Sequence, residues 1–318
     1  MSTPGRLPLL VIAGATASGK SALAMALARR MPVELISADS AQVYRGMDIG
    51  TAKPSTLEQQ QVRHHLLDVC DPADPYSAAR FAVDATRAIS EVRARRHLPV
   101  LVGGTLLYLK ALLGGLSRLP SSSPALRATL QAEADERGVA AMHAELATRD
   151  AETAERLHPN DWQRIQRALE IVRLTGQPAS QAYRVPVPAP DLGPVCRVAV
   201  MVADRSVLHQ RIEQRFHQMM EAGLLAEVEA LFRRGDLHDA LPSIRSVGYR
   251  QLWATLAADV ALPVPVAVGQ GIAATRQLAK RQLTWLRNEP GWQPLHGDLA
   301  WQLDEVARTL KTLGRCPE

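Results

Sequence analysis

From Gly14 to Ser21 the chain reads Gly14-Ala15-Thr16-Ala17-Ser18-Gly19-Lys20-Ser21, which satisfies G-x-x-x-x-G-K-[ST] at every fixed position. The chemistry served by such a string is the holding of phosphates. Glycines let successive backbone N–H groups converge on phosphate oxygens, and the helix that comes next adds positive potential at its N-terminus. Lys20 supplies a full charge, and the Ser21 hydroxyl can ligate Mg²⁺. The loop alone does not decide which group is transferred.

Asp39 follows a second strand candidate, Val33 to Ala38, in the company of Ser40, Ala41 and Gln42. A carboxylate at that point can take a proton from an incoming nucleophile, and a glutamine amide can pair with a purine edge. A simple turn-forming Asp-Ser pair accounts for the same residues equally well. Thr105 comes after a third run, Pro99 to Val102, and Gly103-Gly104; it is either a helix N-cap or a hydroxyl presented to a substrate. Ser206 to Gly223 reads as a helix with Leu208, Ile212, Phe216 and Met219 on one face and with Arg211 and Arg215 four apart on another. Two stacked guanidinium groups suit a pyrophosphate and also suit plain solvent exposure. Asp204 ends the string VAVMVAD and leads straight into that helix, so it reads as a cap in preference to a metal ligand. His64-His65 lacks partners at metal-ligand spacing, which favours a packing or hydrogen-bonding role.

Arg276, Lys280, Arg281 and Arg287 fall on one predicted helix with Trp285, and Gln163-Arg164-Ile165-Gln166-Arg167 repeats the basic theme. Both read as candidate nucleic-acid contacts, although solvated charged faces are the commoner meaning of either alone.

These residues need a scaffold, and the chain predicts one. Apolar runs at Leu9 to Ala13, Val33 to Ala38, Pro99 to Val102 and Arg197 to Ala203 alternate with amphipathic segments, the pattern of a parallel sheet covered on both faces with ligands at the carboxyl ends of its strands. Breaker-rich strings at Leu119 to Pro124 and Pro186 to Pro194 bracket a stretch of wholly helical pattern, and the chain beyond Ser206 is again predicted mainly helical. The expectation is therefore an α/β, three-layer P-loop core in two parts, 1–118 and 195–318, interrupted by an all-helical subdomain at 119–194.

Composition is consistent with this. The 318 residues are 47% hydrophobic and 22% charged, ordinary values for a globular chain, which argues against intrinsic disorder. Lysine and arginine outnumber acids 37 to 32, compatible with an anionic partner and no more than that. Cys70, Cys196 and Cys316 are odd in number and far apart, which points to a reducing cytoplasm and away from a disulfide framework or zinc site. The apolar run from Leu7 to Ala13 is too short to span a bilayer, so no membrane association is expected.

Several strings together resemble the tRNA dimethylallyltransferase (isopentenyl-tRNA transferase) family: GATASGKS at 14–21, ISADSAQVYRGMDIGTAKP at 36–54, HHLLDV at 64–69, GGTLLYLKAL at 103–112, RIQRALE at 164–170, RSVGYRQ at 245–251 and ATRQLAKRQLTWLR at 274–287. Ala15 departs from the proline usual in the family. The resemblance implies that dimethylallyl diphosphate, not ATP, occupies the loop, and that its prenyl group goes to N6 of adenosine 37 in the anticodon loop of tRNAs reading codons that begin with uridine. It implies Asp39 as general base and Thr105 and Arg127 beside the tRNA. The segments Asp39 to Gln42, Gln163 to Arg167 and Arg245-Ser246-Val247-Gly248-Tyr249-Arg250 are then tRNA contacts. Arg215 becomes the candidate pyrophosphate ligand, with the choice between Arg211 and Arg215 open. Mg²⁺ is the implied cofactor, and a monomer is the default. Three rivals remain: a P-loop kinase, a prenyltransferase acting on free adenine nucleotides, and a non-catalytic RNA-binding ATPase.

Overall fold

Runs that are apolar without alternation are what a parallel strand covered on both faces favours; the run beginning at Leu9 becomes such a strand, and Val33–Ala38 is buried along its whole length even though it carries Glu34 and Ser37. The structure is a computed structural model, and it describes residues 6–117, 119–257 and 262–312; Cys316 lies outside them. The strands are β1 (Leu9–Gly14), β2 (Val33–Ala38), β3 (His64–His65), β4 (Leu98–Gly103), β5 (Leu116–Ser117), β6 (Pro186–Val187), β7 (Val195–Val200) and β8 (Gln293–Leu295). The chain divides into two compact units, one made of 1–112 with 190–318 and the other of Leu113–Ala189.

The larger unit is α/β. Its six strands lie in the order β3-β2-β4-β1-β7-β8, and every neighbouring pair is parallel. Register aligns the ends of the central strands. Ala38 of β2 pairs with Gly103 of β4, Gly103 with Ala13 of β1, and Ala13 with Ala199 of β7. The residues that continue from these strands, Asp39, Gly104-Thr105 and Gly14-Ala15, therefore emerge side by side at one edge. Strand order reverses about β1, because the chain goes to one side of it for β2 and β4 and to the other for β7. Such a switch point opens the crevice in which α/β proteins bind ligands.

Helices Lys20–Ala28 and Leu299–Thr312 bring Leu23, Leu27, Leu303, Val306 and Leu310 onto Leu10, Ile12, Val100 and Val198. Each such side chain contributes about 1.5–3 kcal/mol by leaving water. Helix Ala78–Ala94, started by Ser77 Oγ accepting the Arg80 N–H, packs beside β2 and β4 and buries Phe81, Ala85, Ile89 and Val92. The chain after Ser206 is mainly helical as expected, with β8 as an addition that the sequence does not announce. Three residues containing Pro294 carry no periodic signal, and an edge position tolerates proline.

The smaller unit is not purely helical, which corrects the expectation. Leu116 and Ser117 pair antiparallel with Val187 and Pro186, so part of the second breaker string is strand and the unit runs over Leu113–Ala189 instead of 119–194. Three of its helices begin where short polar side chains cap them. Ser123 precedes Pro124, Asp150 accepts the Thr153 N–H, and Asp161 accepts the Arg164 N–H. Leu130, Met142, Leu146, Ile165, Leu169 and Ile171 form its core.

Candidate active site at the carboxyl edge of the sheet

The phosphate loop bridges β1 and helix Lys20–Ala28. Gly19 holds φ +99°, a left-handed conformation in which a Cβ would be strained, and the Leu23 N–H then closes the first helical bond on its carbonyl at 3.0 Å. Lys20 Nζ donates to Ala15 O at 3.2 Å, inside the loop. Burial pushes the Lys20 ammonium down to about 8; the Asp39 carboxylate pulls it back up, and Arg215 pushes it further down. Arg215 behaves alike, lowered by burial and raised by Asp39. A cation of the loop, a carboxylate at the end of β2 and a guanidinium on helix Arg205–Glu221 therefore share one electrostatic neighbourhood. Arg215 has no hydrogen-bond or ion-pair partner among the described residues, whereas Arg211, one turn earlier, is exposed. Of the two arginines between which the sequence leaves the choice open, Arg215 is the one beside Lys20 and Asp39.

Thr105 holds the loop that carries Asp39. Asp39 Oδ1 accepts the Ala41 N–H at 2.9 Å, and Oδ2 has no protein donor among the described residues. Thr105 N–H donates to Ala38 O at 3.2 Å, and Thr105 Oγ1 accepts the Ser40 N–H at 2.9 Å. The turn-forming reading of Asp39 is thus realised, and it leaves one carboxylate oxygen available. Gln42 is more occupied than a base-reading amide should be: Oε1 accepts from Ser37 Oγ at 2.8 Å, and Nε2 donates to Thr51 O and Ala52 O at 3.2 and 3.1 Å. A purine edge would have to displace these bonds.

The segment behind Gln42 is held by ionic contacts that the sequence did not reveal. Lys53 Nζ, with only 3% of its side chain exposed, donates to Tyr44 O, Asp48 Oδ1 and Asp68 Oδ1. Glu227 accepts the successive N–H groups of Asp48, Ile49 and Gly50 at 2.9, 2.8 and 3.1 Å, and the Tyr249 hydroxyl at 2.5 Å. An open groove of about 570 Å³, lined by Ile49, Ala52, Lys53, Asp68, Arg215 and Met219 among others, runs from Arg215 along this segment.

Several residues expected at a tRNA surface are placed otherwise. The Tyr249 side chain is 1% exposed with its hydroxyl on Glu227, Gly248 is buried, and Ile165 belongs to the core of the smaller unit. Contiguous motif residues on a helix or turn alternate between surface and interior. Arg127 and Arg167 both bind the fully buried Glu170, Arg127 through Nε and Nη2 at 3.1 and 3.2 Å and Arg167 through Nη1 at 2.6 Å, so each neutralises a core carboxylate. Arg164 pairs with Asp161 at 2.8 Å, and Gln166 donates to Arg127 O at 3.2 Å. Gln163, Arg164, Arg245, Arg250, Lys280 and Arg281 are exposed, and Ser246 and Val247 are half-buried. Arg276 is tied to Glu213 at 2.7 Å. Asp204 caps its helix by accepting the Ser206 N–H at 2.7 Å, and His65 bonds Glu34 at 2.7 Å.

One residue at this edge lies within the string at 274–287 but is not among the residues that the sequence singles out. Gln282 lies on the buried stripe of helix Val264–Asn288 with Ala279 and Leu286, and its amide touches both the phosphate loop and the Gly104 turn. The available signal was a glutamine at a core position of an amphipathic helix.

For a metal, the donor set is sparse. Among the described residues no three His, Cys, Asp or Glu side chains come together as a cage. Ser21 is exposed on the first helical turn, and the buried Ser18 Oγ in the same loop has no partner. Such a site fits a hard cation that brings its own phosphate and water ligands. No helix among the described residues is long and apolar enough to cross a membrane.

Comparison with known proteins agrees with this geometry. The family model described as IPP transferase matches residues 42–289. A tRNA dimethylallyltransferase of Bordetella petrii is 57% identical over 285 residues, covering 89% of this chain and 90% of that protein. A tRNA dimethylallyltransferase of Ralstonia pickettii is 54% identical over 317 residues, covering 98% and 96%. The crystal structure of the full-length tRNA isopentenylpyrophosphate transferase of Bacillus halodurans superposes with a TM-score of 0.68 at 35% identity, covering 97% of this chain and 98% of that one. On a match that spans most of its length, this chain belongs to the IPP transferase family.

Proposed function

We propose that this protein transfers the dimethylallyl group of dimethylallyl diphosphate to N6 of adenosine 37 in tRNAs reading codons that begin with uridine, giving N6-dimethylallyladenosine and diphosphate. The observation that carries the reading is the meeting of Lys20, Asp39 and Arg215 at one sheet edge in a chain of this family. The lone pair of an exocyclic amine is delocalised into its ring, so attack on the allylic carbon needs the N6 proton removed as the C–N bond forms. Asp39 takes that proton while the allylic C–O bond breaks and diphosphate leaves. Lys20, Arg215 and N–H groups of the loop from Gly14 to Ser21, that of Thr16 excepted, face the negative charge that develops on the leaving group. Mg²⁺, held by Ser21 and the diphosphate oxygens, would supply further charge neutralisation there. Thr105 keeps the Asp39 loop in place and stands beside the incoming base. An unpaired anticodon-loop base is cheap to extrude toward such an edge. A monomer working in the cytoplasm suffices for this chemistry.

The deciding experiment is incubation with unmodified tRNA, labelled dimethylallyl diphosphate and Mg²⁺ in the absence of ATP. Label should enter tRNA at adenosine 37. ATP-dependent phosphoryl transfer, or label in free adenine nucleotides but not in tRNA, would replace this reading by one of its rivals.

Exposed Lys280 and Arg281 are proposed to bind tRNA phosphates together with Gln163, Arg164, Arg245 and Arg250. Replacing Lys280 and Arg281 together with alanine should raise the KM for tRNA and flatten the salt dependence of tRNA binding by about two units of log–log slope, one per lost phosphate contact. The KM for dimethylallyl diphosphate should stay put. Unchanged tRNA binding across a salt series would show the pair to be solvated surface.

A further inference from the structure

Gln282 is 6% exposed, and both ends of its amide are occupied. Oε1 accepts the Thr16 N–H of the phosphate loop at 2.9 Å, and Nε2 donates to Gly104 O at 2.9 Å. A Cβ at position 104 would lie 2.5 Å from Nε2 and 3.0 Å from Gly14 O, so glycine at 104 is what allows the amide to sit there. Gly104 leads into Thr105, whose hydroxyl holds the Ser40 N–H beside Asp39. One buried side chain thus starts an unbroken run of contacts from the diphosphate loop to the Asp39 loop.

We propose that Gln282 is a positioning residue for prenyl transfer, fixing the separation between the bound diphosphate and the proton-accepting carboxylate by clamping the phosphate loop to the turn that carries Thr105. This role rests on the proposed prenyl transfer to tRNA. An amide is the side chain that fits both ends: a carboxylate would accept from Thr16 but set a lone pair against the Gly104 carbonyl, and a thioether of the same length would serve neither. The clamp also occupies the Thr16 N–H, leaving phosphate to the other amides of the loop. Losing it does not remove a phosphate ligand; it lets two loops drift relative to each other. Misplacement of reacting groups by a fraction of an ångström acts on turnover far more than on ground-state binding.

The test is a double-mutant cycle of Gln282→Met and Thr105→Val, with Gln282→Asn in parallel, which keeps an amide in the core but withdraws it by one methylene. Each variant is assayed for prenyl transfer to tRNA and for pyrophosphate binding by calorimetry, with folded fraction fixed by thermal melting. Each single variant is expected to lose about tenfold or more in kcat with both KM values and the pyrophosphate Kd nearly unchanged. The double variant should be no worse than the poorer single one, because both cuts interrupt the same run of contacts. Wild-type kcat in Gln282→Met and Gln282→Asn, losses that multiply in the double variant, or a loss of pyrophosphate binding that matches the loss of turnover would each overturn the proposal. A wild type inert toward tRNA would strike the functional reading itself, whereas an active wild type with multiplying losses strikes only the clamp.

Discussion

Asp39→Asn is expected to lower kcat by roughly a hundredfold or more, the usual cost of removing a general base, while the KM for tRNA changes little. Asparagine is the sharper choice over alanine because it separates the two roles of this residue. Oδ1 accepts the Ala41 N–H, and an asparagine oxygen can keep that bond and the turn. What asparagine cannot do is take a proton. A second readout has the opposite sign. Asp39 is the anion that raises the protonation of both Lys20 and Arg215, so neutralising it increases the net positive charge around the loop. Pyrophosphate should then bind the variant as tightly as the wild type or more tightly. A variant that turned over normally would reduce Asp39 to its turn.

What the sequence disclosed and what it hid divide along a physical line. Strand β1 and the loop after it were legible because a doubly covered parallel strand favours an unbroken apolar run, and the phosphate loop needs glycine and lysine at fixed places. That Arg215 and not Arg211 lies beside Lys20 and Asp39 was not, since both are on one helix and burial of Ile212 and Phe216 sets which side of it faces inward. Motif strings include Ile165, Gly248 and Tyr249, which the fold buries, because a string does not distinguish a residue at the surface from one that holds its neighbour. The contacts of Glu227 and Gln282 were invisible for a related reason. Their partners include backbone groups far away in sequence, and no local spacing encodes such a contact.

Pyrophosphate affinity should depend on pH in a way that identifies Lys20. In the free protein burial brings this ammonium down to about 8, so near neutrality it is charged and by about pH 9.5 it is mostly neutral. A bound polyanion beside it favours the charged form and raises its pKa, so binding above about pH 8 must take up a proton. Affinity is therefore full below the free-protein value and falls as pH rises through it, approaching roughly tenfold per pH unit. Lys20→Met should weaken binding at neutral pH by roughly ten- to a hundredfold, the loss of a charge-assisted contact, and should remove the part of the pH dependence that belongs to the lysine. The ligand's own titration is common to both proteins and cancels in the comparison. Calorimetry in buffers of different ionisation enthalpy measures the proton uptake directly. Identical pH profiles for wild type and Lys20→Met would mean that Lys20 carries no charge to the diphosphate, and the electrostatic neighbourhood it shares with Asp39 and Arg215 would then have to work through Arg215 alone.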